Sequence, residues 1–459
     1  MIKKFLLLSL VASQLMISCS SDDSSETTDP VVTDPTKELT LEEEIALIVK
    51  QPYSSLTPAQ QKVKLEAEAN EMLVQLDKTK SSGAIEALEN LTHLLNVNAV
   101  DVFNGKNGNG AENILEVSGV YGIYTWNNTQ QVWIKTTSSS ELKFVFPAKS
   151  SQTANNASFS AKSVSSTIKV KYEDSYGYWK YNEETQENEF IPAVDDEIFL
   201  PTSADAVLTI DNKEAATFTQ TAKYGTTNEV PTDFAYKMTL NDGYTWEMSS
   251  VKALQNTGKA SLTYNGKTLI EFNSGSNADI DKLIDSDELV QYRGKANGWI
   301  KLMDNFIIVA DMDLATAAAD DAALEKTLPN VDYNSKTYYT DQNTYQVKTS
   351  QGSAANFNKN IKLILISKKD GTKIADIVQH SEKDGSYSDN VKWIVAENTY
   401  GGYWDWDQSY PEITVQFYKE VNYLKFNDNT EVEMSAYFSE GFGSFEAKFE
   451  EFVKGFERK

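Results

Sequence analysis

From about Val117 onward, apolar and polar side chains alternate with a period of two, which predicts strands with one face on a core and the other in water. Phe234, Tyr236, Met238 and Leu240 alternate with Ala235, Lys237 and Thr239. Tyr244, Trp246 and Met248 continue the pattern after a three-residue loop ending in Gly243, where a left-handed residue is expected. Ala260, Leu262 and Tyr264 do the same before Asn265-Gly266, a two-residue hairpin signal. Further hairpins are expected at Asn127-Asn128, Asp211-Asn212 and Asp370-Gly371. Strands of this kind joined by tight turns predict an antiparallel sheet covered on a single side.

Ahead of the strands, residues 40–96 carry helical spacing. Thr40 with Glu43 forms a capping box, and Glu42, Glu43 and Glu44 suit the positive end of a helix. Thr57 followed by Pro58 marks a second helix start, after which Leu65, Ala69, Met72, Leu73 and Leu76 share a face. A third segment repeats the stripe with Ile85, Leu88, Leu91 and Leu95. The Asn-Gly pairs between 104 and 110 end the helical part; they lack the Gly-Lys-Ser/Thr of a phosphate loop. Within the strand region, residues 279–288 and the alanine-rich stretch from Asp313 to Leu328 interrupt the alternation as helices. At the end of the chain, Phe445, Phe449, Phe452 and Phe456 predict an amphipathic helix capped by Ser444, with Glu446, Glu450 and Glu451 opposing a membrane-surface role.

The first residues follow a different logic. Lys3 and Lys4 precede an apolar run from Phe5 to Ile17, too short to span a bilayer and ending in Ser18-Cys19, which is the anatomy of a secretory signal. Cys19 is the only cysteine of 459 residues, so an intrachain disulfide and a cysteine metal cluster are both excluded. Met16-Ile17-Ser18-Cys19 resembles the lipobox of bacterial lipoproteins, and the Ser-Asp-Asp segment from Ser20 to Glu26 resembles the acidic export tag of surface lipoproteins of the Bacteroidota. The resemblance implies acylation of Cys19, attachment to a membrane through the acyl chains, and exposure on the outer face of the outer membrane. It covers only the start of the chain. Residues from Ser20 to about Lys37 are polar, acidic and broken by Pro30 and Pro35, a composition that makes a tether rather than a core.

Cleavage before Cys19 removes two of the 42 basic residues and none of the 67 acidic ones, so the net charge becomes −27 instead of −25. That sign opposes nucleic acid as a partner. The 40% hydrophobic content is enough for a sizeable core in the roughly 420 residues that remain, about two or three units by length.

Familiar catalytic signatures are missing from the sequence. The two histidines, His93 and His380, belong to no metal-ligand pattern, no Gly-x-Ser-x-Gly elbow occurs, and the one thiol is committed to lipid. The acids Asp279, Asp281, Asp285, Asp287 and Glu288 imitate a calcium loop counted from Asn277, but Lys282 stands where such a loop needs glycine; a solvated helix face explains them better. No metal and no cofactor are expected. The most suggestive stretch is residues 400–411, where Tyr403, Trp404, Asp405, Trp406, Asp407 and Tyr410 interleave aromatic rings with carboxylates. Rings cover the apolar face of a sugar while acids take its hydroxyls, and glycines at 401 and 402 place the stretch on a loop, where binding residues gather. The same alternation also describes an edge strand whose aromatics plug into a core.

The sequence therefore predicts an α+β, mainly β fold: a signal peptide (1–18), a lipidated tether (19–38), a helical region (39–100), a Gly/Asn-rich linker (101–116), an antiparallel β region (117–278) and a second β region with helical insertions and a C-terminal amphipathic helix (279–459). The sheet structure is open or sandwich-like. A non-catalytic binding or assembly role at the cell surface, with a glycan or a surface protein as partner, is the favoured expectation. A carboxylate-dependent glycoside hydrolase, which needs two acids pushed apart in pKa, and a carrier of lipid or acyl chains remain as alternatives.

Overall fold

The computed structural model describes residues 40–77, 82–98, 100, 113–175, 178–182, 187–191, 194–225, 230–285, 293–303 and 305–438. The expected signal peptide, Cys19 and tether, most of the linker, and the Phe-lined segment 445–456 lie outside the described residues.

Three helices come first: α1 (Leu41–Val49), α2 (Pro58–Asp77) and α3 (Gly83–Val97), with a single turn, α4 (Asn113–Glu116), before the strands. The strands are β1 (Gly122–Asn127), β2 (Val132–Thr136), β3 (Leu142–Phe146), β4 (Ala157–Ser175), β5 (Tyr178–Asn182), β6 (Glu187–Ile191), β7 (Val194–Ile210), β8 (Lys213–Tyr224), β9 (Pro231–Leu240), β10 (Tyr244–Val251), β11 (Asn256–Tyr264) and β12 (Lys267–Ser276). After α5 (Ile280–Asp285) come β13 (Ala296–Leu302) and β14 (Phe306–Met312), then α6 (Leu314–Glu325) and α7 (Tyr338–Asn360). The described chain closes with β15 (Ile361–Ser367), β16 (Thr372–Val395), β17 (Gly402–Trp406), β18 (Glu412–Lys425), β19 (Glu431–Glu433) and a short helix, α8 (Met434–Phe438).

All strands except β5 and β6 join one open sheet. Its spatial order is β2, β1, β3, β4, β7 and then consecutively to β16, followed by β18 and β19, with β17 on the far end of β16. Among these named strand pairs only β1 with β3 is parallel. Pairing of Ile270–Ser276 with Ala296–Leu302 carries the sheet across position 278 without a break.

The turn chemistry behaves as its residues dictate. Asn265 and Gly266 both take positive φ, as do Asp211 and Asn212, so these two-residue turns have the twist that flanking strands require. Gly243 sits at φ +105°, a conformation that an L side chain rarely adopts. The helix starts also follow the sequence: Thr40 and Glu43 exchange their capping hydrogen bonds, Thr57 does the same with Gln60, and Ser82 caps α3.

The core does not lie on one side of the sheet throughout. From β1 to β12 a single face is covered: Ile85, Leu91 and Leu95 of α3 are buried against Phe144, Phe159, Phe218 and Tyr236, with Leu88 partly buried beside them. At β14 and β15 both faces are covered, which corrects the expectation of a one-sided sheet. Ile45 and Ile48 of α1 pack with Trp299, Ile307, Val309 and Ile364 on one face, and Phe306 and Leu365 pack with Leu65 of α2 and Tyr437 of α8 on the other. The sequence explains why, because Phe306-Ile307-Ile308-Val309-Ala310 is a continuous apolar run without the polar alternation of a half-wet strand. Helix α6 falls in the expected alanine-rich stretch and is capped by Asp313, which accepts from the Thr316 N–H.

Helix α7 was not legible in the sequence. Its 23 residues are mostly polar, with Tyr339, Ser350, Ala354 and Asn360 buried. Packing against β16 and β18 and against α6 stabilises it; Gly352 leaves room for Leu324, and a Cβ there would sit 2.4 Å from that side chain.

Candidate functional site

The aromatic stretch at 400–410 forms β17 and the turns on either side. Asn398 organises the entry: its side-chain oxygen accepts from the Tyr400 and Gly402 N–H groups, and its amide donates to the Gly402 carbonyl. Gly401 turns the chain at φ +73°. Gly402 then lies so close to β16 that a Cβ would fall 2.4 Å from the Ile394 carbonyl oxygen and 2.6 Å from the Trp393 ring. At the exit, Asp407 accepts from the Ser409 N–H, and the Asn390 amide donates to the Tyr410 carbonyl. Hydrogen bonds from Ser409 hold the Asp407 carboxyl below the usual carboxylate range.

Strand alternation divides Tyr403, Trp404, Asp405 and Trp406 between two faces, and the other two expected site residues, Asp407 and Tyr410, follow the strand. Trp404 and Trp406 share a face with their β16 partners Trp393 and Val391, while Tyr403 and Asp405 share the opposite face with Ile394 and Lys392. On the first face Trp404 is a core residue, 8% exposed, packed edge-on to Tyr339 and Trp393 and donating from Nε1 to the Ser335 carbonyl at 3.0 Å. Trp406, one pleat further on, is 50% exposed and stacks nearly parallel to Tyr333, with 6.0 Å between ring centroids and 11° between planes. Tyr338 meets Tyr333 edge-on.

On the second face the Tyr410 hydroxyl donates to Asp405 at 2.8 Å, which raises the Tyr410 pKa, and the Lys392 ammonium lies 6.0 Å from the Tyr410 ring centroid. Tyr403 is half exposed. Beneath the first face, Tyr339 donates to Asp389 at 2.7 Å, and burial, this hydrogen bond and the Asp389 charge all push its hydroxyl upward. Burial and a hydrogen bond with Tyr338 push Tyr387 up to about 12.

Tyr333, Tyr338, Asp389 and Lys392 had no sequence signal as partners of 400–410. The two tyrosines come from the loop before α7 and from its first turn, and only the fold brings them to β17. Trp179, Tyr181 and Phe190, exposed on the β5–β6 hairpin, were also missed. The density of aromatics in Tyr176-Gly177-Tyr178-Trp179-Lys180-Tyr181 resembles that of 400–406 and was a usable signal.

Other candidates dissolve into local pairing. His380 on β16 contacts Glu431 at 2.6 Å and meets Tyr423 edge-on, while His93 is an exposed residue of α3. Asp279 pairs with Lys282, and Asp281 pairs with Lys252, while Asp287 and Glu288 lie outside the described residues. Among the described residues no cluster of three or more metal-ligating side chains occurs. Among the described residues the carboxylates with displaced titration, Asp320, Asp370, Asp407, Asp428 and Glu431, are lowered, each led by a hydrogen bond from Lys, Ser or Thr. Comparison with protein-family models, with curated proteins and with solved structures found no match to this chain.

Proposed function

We propose that this chain is a non-catalytic binding lipoprotein, held by acyl chains on Cys19 at the outer face of an outer membrane, that takes carbohydrate at the Trp406–Tyr333 platform. The observation that carries the carbohydrate reading is the near-parallel, half-exposed pair of rings beside the Asp407 turn. The outer face of either stacked ring can cover the C–H side of a pyranose, and the Asp407 carboxylate, next to Trp406 in the chain, can accept from its hydroxyls. Asp407 also disfavours anionic polysaccharides, so neutral or amine-bearing glycans are the expected class.

Two observations weigh against the alternatives. A glycoside hydrolase needs an acid with a raised pKa, whereas among the described residues the displaced carboxylates are lowered. An acyl carrier needs an apolar cavity, whereas the cavity across β8–β12, about 420 Å³, is lined by Gln220, Lys237, Glu247 and Glu271 as well as Tyr236 and Phe272.

Screening the full mature chain on a glycan array tests the site. Neutral or amino-sugar glycans should be retained, and Trp406→Ala should weaken retention at least tenfold; equal retention by the variant removes the glycan assignment. The anchor has its own test, in which radiolabelled palmitate enters the wild-type chain and not Cys19→Ser. Label in both, or in neither, sinks the lipoprotein reading.

A further inference from the structure

Strands β4 and β7 leave the sheet as a two-stranded ribbon. β3 pairs only with Ala157–Ala161 of β4, and β8 pairs only with Ser203–Ile210 of β7. Beyond these, the residues of β4 up to Ser175 and of β7 back to Val194 pair with each other. The root is fastened by the Ser118–Ser165 hydroxyl contact at 2.5 Å, the Ser118–Phe199 bridge and a hydrogen bond from the Tyr224 hydroxyl to the Pro201 carbonyl. From there six residue pairs, Lys169 with Phe199 to Ser175 with Val194, reach roughly 20 Å at strand rise, the first of them still beside the core through Val170 and Ile198. Nested within this ribbon in the chain is the β5–β6 hairpin.

That hairpin presents aromatic rings to water. Trp179 pairs across with Phe190, and Tyr181 with Asn188, so the three rings lie on one face. Trp179 is 68% exposed, Tyr181 55% and Phe190 51%, and the Trp179 and Phe190 rings touch at 5.2 Å between centroids. Together they expose on the order of 300 Å² of ring surface, a size at which an apolar patch marks an interaction site. Tryptophan and tyrosine are also the residue types that dominate binding energy at interfaces.

The surrounding charge selects the partner. Over residues 166–199 the sequence holds nine carboxylates and three lysines, Lys169, Lys171 and Lys180, with Lys169 paired to Glu197. Such a segment repels anionic lipid headgroups, nucleic acid and a second copy of itself. It attracts cations, and exposed rings in a chain segment this acidic suit arginine and lysine, whose cationic heads stack on ring faces.

We infer that the β4–β7 ribbon with its β5–β6 tip is a docking arm for a basic protein segment, whose arginines or lysines seat on Trp179, Tyr181 and Phe190. This surface is separate from the carbohydrate platform and does not depend on it.

The test uses the full mature chain and a labelled synthetic peptide of alternating arginine and leucine, with glutamate–leucine and glutamine–leucine peptides as controls. Anisotropy should show the arginine peptide bound, with affinity falling as salt rises. Trp179→Ala and Phe190→Ala keep the net charge, yet each should weaken binding at least tenfold, while Trp406→Ala changes nothing. A urea midpoint unchanged in the hairpin variants shows that the loss is local. Glu187→Gln with Glu189→Gln, which leaves every ring in place, should also weaken binding. Wild-type affinity in the ring variants would show that bulk charge alone attracts the peptide and would overturn the inference. Equal binding of the glutamate peptide, binding to anionic vesicles lost in Trp179→Ala, or a dimer in sedimentation abolished by the same variant would overturn it as well.

Discussion

Replacing Trp404 with alanine should destabilise the protein by about 3–5 kcal/mol, the usual cost of deleting a buried tryptophan. The side chain is 8% exposed, and it ties three elements together: β16 through Trp393, α7 through Tyr339, and the loop before α7 through the Ser335 carbonyl. Its loss leaves that carbonyl without its indole donor and opens a cavity under the polar helix α7, which has few other apolar anchors. Urea unfolding followed by far-ultraviolet circular dichroism should show the lowered midpoint. Trp406→Ala should behave oppositely, costing about 1 kcal/mol for the stack on Tyr333 and keeping the fold. Only the two variants together separate architecture from recognition. If Trp406→Ala unfolds the protein as readily as Trp404→Ala, the rings on that face are all structural and the platform has no free surface to offer.

The second large effect is expected at Gly402. An added methyl would lie 2.4 Å from the Ile394 carbonyl oxygen, which belongs to the backbone of β16 and cannot swing aside as a flexible side chain would. Gly402→Ala must therefore push β17 away from β16, at roughly 2 kcal/mol for overpacking, and must carry Trp404 and Trp406 with it. Stability and glycan retention should fall together. Gly371→Ala is the control: a Cβ there meets nothing within 4 Å, and only its positive φ, +63°, is strained, so roughly 1 kcal/mol is expected with glycan retention intact. Wild-type glycan retention by Gly402→Ala would show that the position of β17 does not matter to the ligand.

Residues 400–410 show where a sequence argument stops. Alternation of rings and acids marked a strand or a loop, and Gly402–Trp406 is the strand β17. Which ring served the core and which faced water depended on α7 lying over one end of the strand. Trp404 falls beneath Tyr339 and Ser335, while Trp406, one pleat further on, is half exposed and stacks on Tyr333. A period of two places both on one face and cannot say how far along that face the cover extends.

Local rules fixed the features whose energy is local. Asn265-Gly266 and Asp211-Asn212 turn because those residues tolerate positive φ, Thr40 caps because its hydroxyl reaches an otherwise unpaired N–H, and the stripe of Ile85, Leu91 and Leu95 sinks because it has one apolar face to bury. Tertiary structure decided everything that depends on a neighbour distant in the chain. Helix α7 has no strong stripe and exists because β16, β18 and α6 surround it; β14 and β15 became two-sided because α1 and α2 return to opposite faces of the sheet; and the acidic ribbon became an arm because β3 and β8 stop pairing with it. Backbone preferences act over a few residues, whereas burial is a property of whatever else the folded chain brings to the same place.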